Sequence, residues 1–181
     1  MRASATLASL LILTCVAGFA QQAPAAEGGA MTVTSSSFAS GGAISEQYSC
    51  KGTDISPALT WSGAPAKTKS IAVIMDDPDA PAGTWVHWVM WNVPASKHSL
   101  AESVAKNEQL DDGSQQGRNS FGKIGYNGPC PPMGQTHRYF FRVYALDSKL
   151  TLTSATDRAA LDEAMKGHVL AEGEYMGTFH K

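Results

Sequence analysis

Two histidines, a tyrosine and a run of acids are the residues best suited to chemistry in this chain. His87 follows the acid-rich stretch Asp76-Asp77-Pro78-Asp79, and His137 stands just before Arg138 and Tyr139. Imidazole N–H groups and a phenol hydroxyl donate to phosphate or carboxylate oxygens, and a protonated ring strengthens the bond. A carboxylate beside such rings, here Asp77, can hold one tautomer and raise the ring's proton affinity. Asp77 and Asp79 also have a plainer use, capping a turn through their own side chains. Asp79 is expected to serve as a structural partner for Arg138. The same residue types occur in hydrolases and metal sites. Yet no G-x-S-x-G elbow is present, Ser120 has no special context, and H-E-x-x-H spacing is absent. The expectation is a pocket for a small phosphorylated or carboxylated ligand, with no catalysis, cofactor or metal.

Two strands must bring these groups together. An apolar run over residues 71–75 leads into the acids, and a second over 85–93 leads out. Pro78, Pro81 and Gly83 between them mark a turn or short loop. A second loop, residues 129–134, feeds His137 into the aromatic run that ends at Leu146. Alternation puts His137, Tyr139, Phe141, Val143 and Ala145 on one face. By the same rule His87, Val89 and Trp91 share a face of their own strand. Trp85, Trp88 and Trp91 read as core or pocket wall. The glycine-rich segment 118–134 is expected to wall the cleft, pinned by Phe121, Ile124, Tyr126 and Met133. Further strands are expected over 31–38, 44–50, 59–61 and 172–179. The one good helical pattern covers 157–166, with Thr156 as its N-cap and Gly167 just past its end.

The chain has 181 residues, 43% of them hydrophobic, and a formal net charge of -2. It can bury one sizeable core, and with no basic run it is not expected to bind nucleic acid. Arg2, the apolar stretch 7–16 and Gly18-Phe19-Ala20 read as a secretory signal peptide over residues 1–20. Residues 21–30 then form a flexible lead-in, and 31–181 a single domain. The expected location is the periplasm. Removal of the signal leaves Cys50 and Cys130, a disulfide candidate in an oxidising compartment. Two separate buried thiols are the alternative.

The segments Asp77-Pro78-Asp79-Ala80-Pro81, His87-Trp88, residues 126–132 and Gly134 through His137-Arg138-Tyr139 together resemble the phosphatidylethanolamine-binding protein family. More narrowly, they are similar to its bacterial Raf-kinase-inhibitor-like branch. The resemblance runs from about Thr32 to Phe179. It implies a mainly β fold, with a large antiparallel sheet packed against a smaller sheet and peripheral short helices. It also implies a small anion pocket in which Asp77, His87, His137 and Tyr139 bind the ligand. Asp79, Pro81 and Arg138 would be structural near that site. A phospholipid headgroup is among the ligands implied. Asp76 lies outside the family motif. The C-terminal helix that borders the pocket in animal members has no match after Phe179, which implies a more open pocket. Two other readings stay open: inhibition of a protease or another protein through the pocket loops, and hydrolysis. An exported protein would not meet a cytoplasmic kinase.

Overall fold

Strand β4, Ser70–Asp77, is buried along its whole length and sits at the centre of the molecule. The structure, a computed structural model, describes residues 29–181. The expected signal peptide and most of the expected lead-in lie outside the described residues. Gly29–Ala30, assigned in the sequence to that lead-in, instead form β1. The remaining strands are β2 (Thr32–Thr34), β3 (Leu59–Ser62), β5 (Trp85–Pro94), β6 (Ser99–Leu100), β7 (Gln115–Gln116), β8 (Thr136–Leu146) and β9 (Val169–His180). Six of them form one sheet in the order β1-β9-β8-β4-β5-β7, and β2-β3-β6 form a smaller one. Pairing is antiparallel except at one edge, where β1 runs parallel to β9. The expected large antiparallel sheet is thus mixed at that edge.

Alternation along β4 builds two cores. Ile71, Val73 and Met75 face the small sheet, meeting Val33, Leu59, Trp61 and Leu100. Ala72 and Ile74 face the other way, where Val89, Trp91, Leu161 and Met165 cover them. Leu161 and Met165 come from α1, Arg158–Met165. Each such side chain, fully buried, contributes about 1.5–3 kcal/mol. The three fully buried indole nitrogens are satisfied as well: Trp61 donates to the Lys97 carbonyl (3.1 Å), Trp88 to Gln116 Oε1 (2.7 Å) and Trp91 to Gln115 Oε1 (2.7 Å).

Several boundaries differ from the sequence reading. The N-cap of α1 is Asp157, whose carboxylate accepts from the Ala160 N–H, rather than Thr156. The expected strand over 44–50 is a 3-10 turn at Glu46–Tyr48, preceded by an isolated bridge from Ala43 to Thr178. The expected helices reduce to α1 and that single turn among the described residues.

Strand β5 departs from simple alternation twice. Opposite it Met75 pairs with Trp88 but Asp76 pairs with Val86, so His87 is the extra residue of a bulge. Consequently Val86, Val89 and Trp91 share the outer core, while Trp88 and Met90 face inward. His87 turns inward too, its ring 5.2 Å from that of Tyr139. The expected shared face of His87, Val89 and Trp91 is therefore corrected. A second irregularity lies between the pairs Ile71–Val93 and Val73–Met90, where Asn92 adopts φ 57°.

The glycines of β9 are packing requirements. A Cβ on Gly177 would lie 2.6 Å from Phe38 Cε2 and 2.7 Å from Ile44 Cγ1. Both neighbours are core residues with little room to retreat. Gly177→Ala should lower the unfolding free energy by about 1–3 kcal/mol, as overpacked cores do. Urea denaturation of the two proteins checks this, and equal midpoints would contradict it.

Candidate functional site

The site lies where the β4–β5 loop, the β5 bulge and the start of β8 meet. Asp77 is the last residue of β4 and points inward, opposite in sense to its neighbour Asp76. The imidazole of His137 donates from Nδ1 to Asp77 Oδ2 at 2.8 Å, and both side chains are only 4% exposed. The other carboxylate oxygen, Oδ1, accepts from the Asp79 N–H at 2.9 Å. Turn capping and ring orientation, two separate readings of the sequence, are thus divided between the two oxygens of one carboxylate.

Asp79 holds the loop from outside. It receives Arg138 Nε (2.9 Å), Nη2 (2.6 Å) and the Arg138 backbone N–H (2.9 Å). The Arg138 hydrogen bonds hold its carboxyl down to about 2, against the opposing effect of desolvation. The pair is solvent-facing, so it fixes geometry more than it adds stability.

His87 is oriented differently. Its Nδ1–H donates to the Asn127 carbonyl at 2.6 Å. A carbonyl can only accept, so the proton is on Nδ1 and Nε2 carries the lone pair of the neutral ring. Burial pushes this imidazole below its ordinary 6.5, against the raising effects of that carbonyl and of Asp77. At neutral pH this favours the neutral ring, whose Nε2 is an acceptor, whereas the sequence reading had both imidazoles donating. Tyr139 packs edge-on beneath it, and Phe121 stands edge-on beside it with centroids 5.4 Å apart.

A cavity of about 380 Å³ opens over these groups. Asp77, His87 and His137 form its polar part, Lys181 enters from the chain's last residue, and Trp85 and Phe121 line the apolar part. Pro81 and Cys130 also border it. Tyr139, a candidate ligand residue, is placed behind His87: it is fully buried and its hydroxyl has no hydrogen-bond partner. Burial, and then the nearby Asp77 charge, pushes that phenol far above its ordinary range.

The segment 118–134 does wall the cavity, though not by all of the pins expected. Tyr126 anchors it, donating to the Tyr48 carbonyl at 2.6 Å. Phe121 is 39% exposed and Met133 79% exposed, so Met133 pins nothing. Cys50 and Cys130 are bonded, closing this wall onto residues 45–55.

Four contributors escaped the sequence reading. Asp54, at φ 57°, accepts from Asn127 Nδ2 (3.0 Å) and from the Gly128 N–H (2.6 Å), placing the carbonyl that orients His87. Asn119 organises the adjacent turn, accepting from the Phe121 and Lys123 N–H groups and donating to Gly125 O and Asn127 Oδ1. Gln135 places its amide oxygen 3.0 Å from His137 Nε2. With that oxygen facing the ring, His137 carries both protons; with the amide turned, the ring can be neutral. Lys181 contributes an ammonium to the cavity wall. An acid in the turn-rich stretch 52–57 was the one available signal for Asp54. Among the described residues, no group of three or more His, Cys, Asp and Glu side chains is placed to hold a metal ion.

The lowered proton affinity of His87 sets a pH dependence. Its folded value lies below the ordinary 6.5, so on acidification the unfolded chain takes up this proton first. The stability it confers is present above about pH 6.5 and is lost as pH falls through the window below. Wild-type unfolding free energy should therefore fall more steeply between about pH 6.5 and 5 than that of His87→Asn. Denaturant titrations at several pH values measure this; parallel curves would refute it.

Comparison with other proteins agrees with this architecture. The sequence pattern described as phosphatidylethanolamine-binding protein matches residues 34–180. A UPF0098 protein of Methanothermobacter thermautotrophicus is 46% identical over 151 residues, covering 83% of this chain and 99% of its own. One from Aquifex aeolicus is 43% identical over 158 residues, covering 86% of this chain and 92% of its own. The crystal structure of a phosphatidylethanolamine-binding protein homolog from Chlamydia trachomatis superposes with a TM-score of 0.76 at 41% identity, covering 84% of this chain and 98% of that one. That of E. coli YbcL gives 0.78 at 35% identity, covering 83% and 98%. With the family pattern spanning most of its length, the chain belongs to the phosphatidylethanolamine-binding protein family.

Proposed function

We propose that the cavity binds a small anion, a phosphate or a phosphorylated or carboxylated headgroup, and does not turn it over. The observation that carries this reading is the pair of imidazoles fixed by protein acceptors. Asp77 holds His137 and the Asn127 carbonyl holds His87, each through Nδ1. Each ring thus turns Nε2 toward a ligand, that of His137 once the exposed Gln135 amide moves aside, and Lys181 brings positive charge to the same cavity. Asp77, His87 and His137 make up the polar floor. Tyr139 lies buried beneath His87, outside the residues that line the cavity, and supports that ring. Family membership supports a binding role in general.

Binding at His87 is linked to a proton. A neutral Nε2 cannot donate to an oxyanion, so the proton must come from solvent or from a ligand P–OH. Hydrolysis through a covalent intermediate would need a side-chain nucleophile within reach of a ring nitrogen. Among the described residues no Ser, Thr or Cys side chain bonds to either ring, and Ser120 Oγ instead accepts from the Val86 N–H. The exposed Met133 beside the cavity wall is what favours a protein partner as a second reading.

Calorimetric titration of phosphate and phosphoethanolamine should give a saturable site in wild type. His87→Ala and His137→Ala should each weaken it by about ten- to a hundredfold, the range for one charge-assisted bond. Affinity should fall as pH rises through neutrality, approaching tenfold per unit for one linked proton. Equal binding by wild type and His137→Ala would defeat the assignment. Ester or peptide turnover abolished by His137→Ala would replace it with hydrolysis, and tight protease capture would replace it with inhibition.

We further propose that the protein is exported and loses residues 1–20, and that it falls within the bacterial Raf-kinase-inhibitor-like branch. The bonded Cys50 and Cys130 support export, since such bonds persist in oxidising compartments. Intact-mass measurement of protein from the periplasmic fraction should return a chain beginning at Gln21. A chain that keeps its signal segment, or is found only in the cytoplasm, would refute this.

A further inference from the structure

The bond between Cys50 and Cys130 differs from an ordinary structural cross-link in three respects. It is accessible: Cys50 is exposed, and Cys130 is half-buried on the cavity wall. It is also chemically asymmetric. Lys181 Nζ lies 3.3 Å from Cys130 Sγ. The ammonium nearest Cys50 in sequence, on Lys51, faces Glu46 at 3.8 Å and the ring of Phe179 instead.

The third respect is redundancy. The two segments it joins are already held by a seam of hydrogen bonds. Tyr126 Oη donates to the Tyr48 carbonyl at 2.6 Å, the Cys50 N–H to the Pro129 carbonyl at 3.1 Å, and the Gly128 N–H to Asp54 Oδ1 at 2.6 Å. Gly128 packs so closely that a Cβ there would lie 1.9 Å from the Tyr48 oxygen. The wall therefore has its own attachment when the sulfurs part.

We propose that this bond is a thiol-exchange site, in which a small thiolate attacks Cys50 Sγ and Cys130 Sγ leaves as a thiolate beside the Lys181 ammonium. One S–S bond forms between the incoming sulfur and Cys50, and the Cys50–Cys130 bond breaks. The electron pair goes to Cys130. A second thiol molecule then attacks the mixed disulfide, releasing Cys50 as a thiol and the small-molecule disulfide. Exchange runs faster when the leaving sulfur is stabilised as an anion, and Lys181 stabilises only one of the two. Accessibility and charge thus select the same direction of attack. Both Cys130 and Lys181 border the cavity, so exchange is measured with no added anion.

The test is exposure of the oxidised protein to reduced glutathione, acid quenching at intervals, and peptide mass mapping. The early adduct is expected on Cys50 with Cys130 free, and the near-UV circular dichroism of the native fold should persist. Lys181→Met should slow opening by about three- to tenfold, and Lys181→Arg should retain most of the rate. An adduct on Cys130, opening no faster than global unfolding, or an unchanged rate in Lys181→Met would each overturn the proposal.

Discussion

The central strand β4 ends in two adjacent carboxylates, both buried, and the rest of the site depends on how they are paired. Alternation forces Asp76 and Asp77 to opposite faces of the sheet. A carboxylate that leaves water must find partners. Asp77 finds His137 across the β4–β8 pair. Asp76 finds Arg142 from β8 and Arg158 from α1. The inward pair becomes the floor of the cavity, and the outward cluster clamps the helix to the sheet. One oxygen of Asp76 stays buried without a partner, so the outward cluster is the less complete of the two.

From that floor the rest of the cavity follows by a chain of orientations. The bulge in β5 turns His87 inward beside the His137 region. Asp54 positions Asn127 and Gly128, whose carbonyl neighbour then sets the tautomer of His87. These steps produce ring nitrogens aimed by other groups, with an apolar wall of Trp85 and Phe121 beside them. Such a construction is the basis of the anion-binding role proposed above: fixed donors and acceptors beside an apolar wall.

The two histidines are not equivalent, although their sequence settings look alike. His137 has a carboxylate on Nδ1 and an exposed amide on Nε2. His87 has only a carbonyl, and burial keeps its ring neutral. A symmetric picture of two charged imidazoles would miss that difference. The site instead combines a ring with an anionic partner and a ring that needs a proton before it can donate.

Much of this was legible in the sequence. Apolar runs bounded by proline and glycine located β4, β5 and β8, and a capped helical stripe located α1, because burial and turn chemistry act locally. Asp77, His87 and His137 were identified by residue type beside predicted strand ends, and the Asp79–Arg138 pair was anticipated correctly. Period two placed His137 and Tyr139 on one face, since β8 is regular through that stretch. The same rule failed for His87, because a bulge is decided by pairing with the neighbouring strand. Asp54, Asn119, Gln135 and Lys181 gave little local sign of their roles, as hydrogen bonds between distant loops have no sequence period. The sequence by itself determined the long central strands and which side chains could do chemistry. Only the tertiary structure decided which way each ring points and which protons it holds, because orientation and charge state depend on partners brought close by folding.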